Sequence, residues 1–333
     1  MARIGERYRI LIGIFFLFFS CSSPSEKAPS GLTSWPPIPE VYHNSYSASR
    51  FALGEKLFFE KRLSKDNALS CASCHNPQFA FSDQQKISPG VSKSHSGFRN
   101  TPTLLNLGYA PHLMSEGGIS SLENLSISPL QDENEMGQNI GESLSKIATD
   151  QEYLRLFSEA YDTVPSIKYM ARALAVYQRY LISKGSRYDA YISGKKNALR
   201  PDEIRGMQLF FSQRTQCSSC HSGFLFSDFS FHHIGLSDMS GDPGRMRLTG
   251  DPKDALHFKT PSLRNIELSF PYMHDGRFLT LDEVLAHYNK GGDKIEGQSE
   301  KVKALHLNAT ELSELKAFLL TLTDTIQYTH VAE

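Results

Sequence analysis

Two short stretches carry the residue types with the most specific chemistry: Cys71-Ala72-Ser73-Cys74-His75 and Cys217-Ser218-Ser219-Cys220-His221. In each, two thiols three positions apart share one turn, and an imidazole follows directly. This spacing is the attachment signature of c-type haem. Each thiol adds to one vinyl group of the porphyrin, and the histidine places a ring nitrogen under the iron. Zinc would need four ligands per site, and the single further cysteine cannot complete such a set. A thioredoxin-like redox pair would need a βαβ setting, which the pattern lacks. The residues therefore predict two covalently bound haem c groups, with Cys71, Cys74, Cys217 and Cys220 as attachment points and His75 and His221 as axial ligands. No cysteine is left for a disulfide within the fold.

What two haems do depends on the face of each iron opposite its histidine. An electron carrier fills both faces of both irons. A peroxidase leaves one iron open and sets a proton-transfer group beside it.

The elements that position these loops form an internal repeat. LFFEKRLSKDNALSCASCHNPQFAFSD is answered by LFFSQRTQCSSCHSGFLFSD, and FRNTPTLLN (98–106) by FKTPSLRN (258–265). Pro102 and Pro261 are each followed fifteen residues later by a glycine, Gly117 and Gly276, and then at equal spacing by Leu122 and Leu281. The period is far too long for a solenoid; two diverged copies of one haem domain account for it. Helix and loop dominate. Pro201 suits a first helical turn, with Asp202 and Glu203 complementing the dipole. Asn308 and Glu311 form a capping box ahead of a Leu312, Leu315, Leu319 and Leu322 face. The stretch 143–182 has helical periodicity broken near Pro165. Residues 186–197 are polar, carry a glycine and read as a boundary. The expected fold is mainly α, with long loops and little strand: an N-terminal haem domain over 48–190 and a C-terminal one over 191–325. The GDPGRMRLTGDP segment (241–252) reads as a loop over a haem edge.

Length and charge agree with this. The 333 residues suffice for about two cores. Net charge is −1, which excludes the basic field of a nucleic-acid binder. Arg3, Arg7 and Arg9 precede the apolar run Ile10 to Phe19. That run is shorter than the roughly 20 residues a spanning helix needs and fits an export signal. Ser20 then precedes Cys21, so residues 1–20 read as a lipoprotein signal, with Cys21 acylated after cleavage. The alternative is cleavage nearby with Cys21 incidental, and Phe18 stands where such signals usually carry Leu. Residues 21–47, rich in Ser and Pro, read as a tether containing Trp35, the only tryptophan. The expected location is the periplasm, lipid-anchored to a bacterial membrane.

LGEKLFFEKRLSKDNALSCASCH, FRNTPTLLN, ISPLQDENEMG and KTPSLRNIELSFPYMHDGRFLTLDEVLAHYNKGG resemble the bacterial dihaem cytochrome c peroxidases, and are most similar to their MauG-like branch. The resemblance covers residues 48–325 or so. It implies that the N-terminal haem is peroxidatic and that Glu135 is its distal acid/base; the bland alternative for Glu135 is a solvated loop acid. It implies that the C-terminal haem transfers electrons. Peroxidase members carry Met fourteen residues after the histidine of the PY-HDG segment; MauG-like members carry Tyr, and here the position is Tyr288. His287 is adjacent and spacing does not separate the two. A calcium ion is implied at the Asn100 side chain and the carbonyls of Ser269 and Pro271. Hydrogen peroxide, a small donor protein (cytochrome c or cupredoxin) or a protein substrate are the implied partners, with a homodimer possible.

Departures from the family pattern matter. The distal histidine that caps the resting peroxidatic iron falls at Val91 or Ser92, with His95 misplaced nearby, so that iron is expected to be five-coordinate or water-bound. The inter-haem tryptophan falls at Ser115 and the distal glutamine at Leu125. With Trp35 in the tether, no indole relay is expected inside the fold. His232, His233, His257 and His274 read as supporting residues, and Arg99 and Arg264 as partners of haem propionates or as surface groups. Three functions compete: a peroxidase, a MauG-like oxidase of a protein or organic substrate, and a non-enzymatic dihaem electron carrier.

Overall fold

The computed structural model describes residues 35–91, 99–237 and 241–324. The basic start, apolar run and Cys21 lie outside these residues, as do Ser92 and His95. The first half opens with the helix Ala48–Phe58, capped by Ser47, whose hydroxyl accepts from the Arg50 amide. It packs on the helices Gln151–Tyr161 and Ile167–Arg179. Leu53, Leu57, Phe58, Tyr153, Phe157, Met170 and Leu174 interlock there, all fully buried. The second half repeats this with Pro201–Phe210 against Ala309–Leu320. Proline opens the first of these helices, and the Asn308–Glu311 capping box opens the second, as expected. Leu315, Leu319 and Leu322 are buried and Leu312 partly so.

Both helix pairs cross closely because of one glycine each. A Cβ on Gly54 would lie 2.1 Å from the Ala173 carbonyl oxygen, and one on Gly206 would lie 1.8 Å from that of Glu314. Only glycine lets backbones approach so near. The two positions correspond in the repeat, LGEKLFF against RGMQLFF.

Strand is confined, among the described residues, to a two-residue antiparallel pair, Phe231–His232 with Phe258–Lys259. The fold is thus mainly helical with long loops.

Several expectations need correction. The stretch 143–182 breaks twice: at 162–166, around Pro165, and also between Ser145 and Gln151. Residues 186–197 are not a loose boundary. They hold a helix, Arg187–Ile192, with a Ser186–Asp189 capping box, and Tyr188 and Tyr191 enter the second core. Polar composition misled here because Asp189 is consumed by Arg264. Trp35 is not in a free tether: it packs edge-on against Phe224 (4.8 Å) and Tyr109 (5.8 Å), and the Arg264 guanidinium covers it at 4.5 Å. Asn44 is buried and bonds Glu123, so the chain is seated on the fold well before residue 48. The 241–252 segment is not all loop: it holds the short helix Met246–Thr249 and grips a neighbouring loop, where Arg245 donates to the Glu116 carbonyl (2.8 Å) and Arg247 pairs with the Glu116 carboxylate.

Candidate functional site

Each CxxCH segment forms one tight turn, over Cys71–Cys74 and Cys217–Ser219, and a short loop then doubles back. In the first, His75 Nδ1 lies 2.9 Å from the Phe81 carbonyl oxygen; in the second, His221 Nδ1 lies 3.0 Å from that of Phe226. A carbonyl can only accept, so Nδ1 carries the proton and Nε2 is the nitrogen left for iron. Burial depresses the basicity of both rings, keeping them neutral as a metal ligand must be. The backbone of Pro102 and of Pro261, matching positions of the repeat, offsets part of that burial. Phe81 and Phe226, whose carbonyls accept these bonds, both adopt positive φ (57° and 54°), the bend that turns each oxygen back onto its ring. The shared FxFSD ending of both loops is the sequence signal for this, and it is legible only once the role of the carbonyl is known.

The second loop opens onto a large, mainly apolar cavity. Cys217, Cys220 and His221 border it together with Phe210, Leu263, Ile266, Leu281, Leu285 and Leu315. Tyr288 borders it too. His287 does not: its ring is buried and its Nε2 lies 3.0 Å from the Ile234 carbonyl. Burial, and then the nearby Cys217 and Cys220, push the Tyr288 phenol well above its usual range. A cationic metal facing the hydroxyl would act in the opposite direction. Asn100, Ser269 and Pro271 border the same cavity, and Ser115 stands there as well.

At the first loop Cys71 is buried and its thiol is pushed up to about 12, chiefly by burial, with Cys74 and Glu135 adding. Glu135 raises Cys74 also, so its charge acts on the attachment turn. Its side chain is open to solvent, with protein crowding the carboxyl. Burial pushes it up to about 7, with Asp132 adding a smaller amount. Met136, its neighbour, is buried in the first core and sets the direction of the turn. Val91 donates its amide to the Glu135 carbonyl (2.8 Å), and its side chain cannot ligate a metal. Leu125 packs with Leu113, Leu122 and Ala175.

The arginines are both occupied. Arg99 forks onto Asp242 (2.7 and 3.0 Å) and also pairs with Glu116; Arg264, 2% exposed, forks onto Asp189 (2.7 and 2.9 Å). Neither is a surface group. His274 stacks on Phe258 at 3.9 Å, and His232 holds Asp228 at 3.1 Å.

The residues fit covalent haem on the structure's own terms. All four thiols are free, both imidazoles present a neutral Nε2, and an apolar cavity adjoins the second attachment turn. Two such centres in duplicated helical domains define a dihaem c-type oxidoreductase. The family model described as di-haem cytochrome c peroxidase matches residues 48–197. Cytochrome-c peroxidase IdrP1 of Pseudomonas sp. (strain SCT) is 33% identical over 93% of this chain and 90% of its own length. Methylamine utilization protein MauG of Methylorubrum extorquens is 35% identical over 86% of this chain and 81% of its own. The solved structure of a MauG-like protein associated with microbial copper homeostasis superposes with a TM-score of 0.83, at 33% identity, covering 87% of this chain and 94% of that one. The chain belongs to the di-haem cytochrome c peroxidase family, on its MauG-like side, and is an oxidoreductase of the cytochrome-c peroxidase type with two haem c groups.

Proposed function

We propose that the protein is an exported peroxidase that reduces hydrogen peroxide to two molecules of water at the N-terminal haem. Two electrons arrive through the C-terminal haem from a small cytochrome or cupredoxin, and two protons come from solvent. The observation that carries this reading is Glu135, whose charge acts on both thiols of the first attachment turn and whose proton affinity is raised to about 7.

The haem, when bound, supplies the metal that receives peroxide and the path for electrons. The chain supplies the rest. Phe81 holds the His75 ring so that Nε2 is aimed at the metal. Glu135 takes the proton from the inner peroxide oxygen and delivers it to the outer one, so that the departing group leaves as water and not as hydroxide. A carboxyl poised near neutrality can do both. Val91, where the resemblance expects the distal histidine, carries no group that could hold the metal. Tyr288 is the axial residue we assign to the C-terminal haem; a phenolate is a hard anionic donor that favours higher oxidation states. Asn100, Ser269 and Pro271 offer the hard oxygen donors that calcium takes. Cys21 is the proposed lipid attachment, which would hold the protein at a membrane facing the periplasm.

Tyr288 favours a second reading, a MauG-like oxidase that stores oxidising equivalents and uses them on a protein or organic substrate. Glu135→Gln tests the shared step. The variant should lose on the order of 10²-fold or more in peroxide turnover while keeping its haem content; wild-type turnover would remove Glu135 from the mechanism. Peroxide titration with and without a reduced donor protein then separates the readings: rapid return of the resting spectrum only with donor marks a peroxidase.

A further inference from the structure

Residues 83–91 link the first attachment loop to Glu135, and both ends of the segment are held by other parts of the chain. At the near end, Val91 donates to the Glu135 carbonyl, and Gly90 (φ +58°) lies so close that a Cβ there would sit 1.8 Å from the Asn134 carbonyl oxygen. Gly137 (φ +60°) faces the same residue: its Cβ would lie 2.8 Å from Val91 Cγ2. At the far end the contacts are with the second half of the chain. Gln84 donates to the Leu268 carbonyl (3.1 Å). Asn100 donates its side-chain amide to the Gln85 carbonyl (2.7 Å) and its backbone amide to that of His274 (2.7 Å). Gly276 (φ +63°) sits against Lys86, where a Cβ would come within 2.8 Å of the Lys86 carbonyl oxygen. In between, Ser88 bonds Asp83 and Thr101.

The turn that carries Glu135 is closed internally by Asp132, whose carbonyl accepts from Glu135 (3.0 Å) and Gly137 (2.8 Å). Those bonds fix the shape of the turn and not its distance from the attachment loop. Its placement comes partly from the helix Leu122–Gln131, where Met136 and Gln138 donate to the Pro129 (3.1 Å) and Leu130 (2.7 Å) carbonyls, and partly from beyond it: Lys65 donates to Met136 on one side (3.0 Å), and Val91 and Gly90 press on the other. We propose that residues 83–91 are a positioning strap, seated on the C-terminal half, that fixes where the Glu135 carboxyl stands over the N-terminal haem. The acid/base group is thereby built from both halves of the duplication. This rests on Glu135 being that group. Backbone packed this tightly transmits small displacements, and about 1 Å of misplacement costs on the order of 10²-fold in rate.

The test uses the haem-loaded protein. Gly90→Ala should slow the reaction with peroxide by on the order of 10²-fold, with haem content, resting absorption spectrum and imidazole affinity unchanged, since imidazole binding needs no proton transfer. In a Glu135→Gln background the same change should add no further loss, because the strap acts only through Glu135. Gly276→Ala should produce a weaker loss of the same non-additive kind. Wild-type peroxide kinetics in Gly90→Ala, or an equal slowing of Glu135→Gln, would overturn the proposal. Wild-type kinetics in Glu135→Gln alone would overturn the acid/base reading instead. Should Gly90→Ala fail to take up haem, Gly137→Ala presses on the same contact from the other side. Its loss should then be restored by Val91→Ala, which removes the opposing methyl, and absence of rescue counts against the strap.

Discussion

On the proposed reading, the chemistry turns on Glu135. Its environment raises its proton affinity to about 7. The raised proton affinity means that the neutral form persists above the usual carboxylate range. The carboxylate needed to accept a proton from peroxide then appears as pH rises through about 7. The rate of peroxide reaction should therefore climb across that interval and level off above it. Stopped-flow mixing from pH 5 to 8.5 measures this, and a flat profile would detach the rate from this group. Glu135 could be picked out in the sequence only by its family context, since spacing does not distinguish a crowded acid from a solvated one. Tyr288 and His287 show the converse. The sequence places them side by side and cannot choose between them; the fold ties His287 to Ile234 while Tyr288 borders the cavity beside the second attachment turn, which supports the proposed role of Tyr288. Tyr288→Phe should raise the midpoint potential of the C-terminal haem by removing an anionic donor. His287→Phe should leave it near the wild-type value. Redox titration followed by absorbance reads both, and a shift confined to His287→Phe would exchange their roles.

At the scale of elements, what was legible was whatever local rules control. Pro201, the Asn308–Glu311 box and the break at Pro165 act through their own backbone, and each stands where expected. The misread pieces are those whose partners are remote. Residues 186–197 look like linker until Arg264 pairs with Asp189, 75 positions away. Gly54 and Gly206 look like weak points in amphipathic helices until the facing carbonyl is seen. Gly54→Ala and Gly206→Ala should each destabilise the haem-loaded protein by about 1–3 kcal/mol, the usual cost of overpacking. Urea unfolding followed by circular dichroism measures this. An unchanged midpoint would mean that the helices separate without penalty.

Across the whole molecule, the repeat announced the duplication, and the two larger hydrophobic clusters divide accordingly, one drawn from Leu53 to Leu181 and one from Tyr188 to Leu322. Composition misplaced the start of the ordered chain. A Ser/Pro-rich stretch reads as tether, but Trp35 carries enough surface, with Arg264 above it and Phe224 beside it, to seat the segment on the second attachment loop. Because it is the only tryptophan, its emission should be strongly quenched in the native haem protein. Trp35→Ala should also lower the unfolding midpoint of the C-terminal half. An unaltered midpoint would return the segment to the status of a tether. The central claim is an asymmetry between two similar centres: one iron is left open beside a carboxyl, and the other is closed by Tyr288. Electron paramagnetic resonance of the resting ferric protein tests it most directly. The account predicts one high-spin and one low-spin ferric haem in equal amounts, the high-spin signal disappearing when peroxide is added. Two low-spin haems that do not respond to peroxide would contradict it.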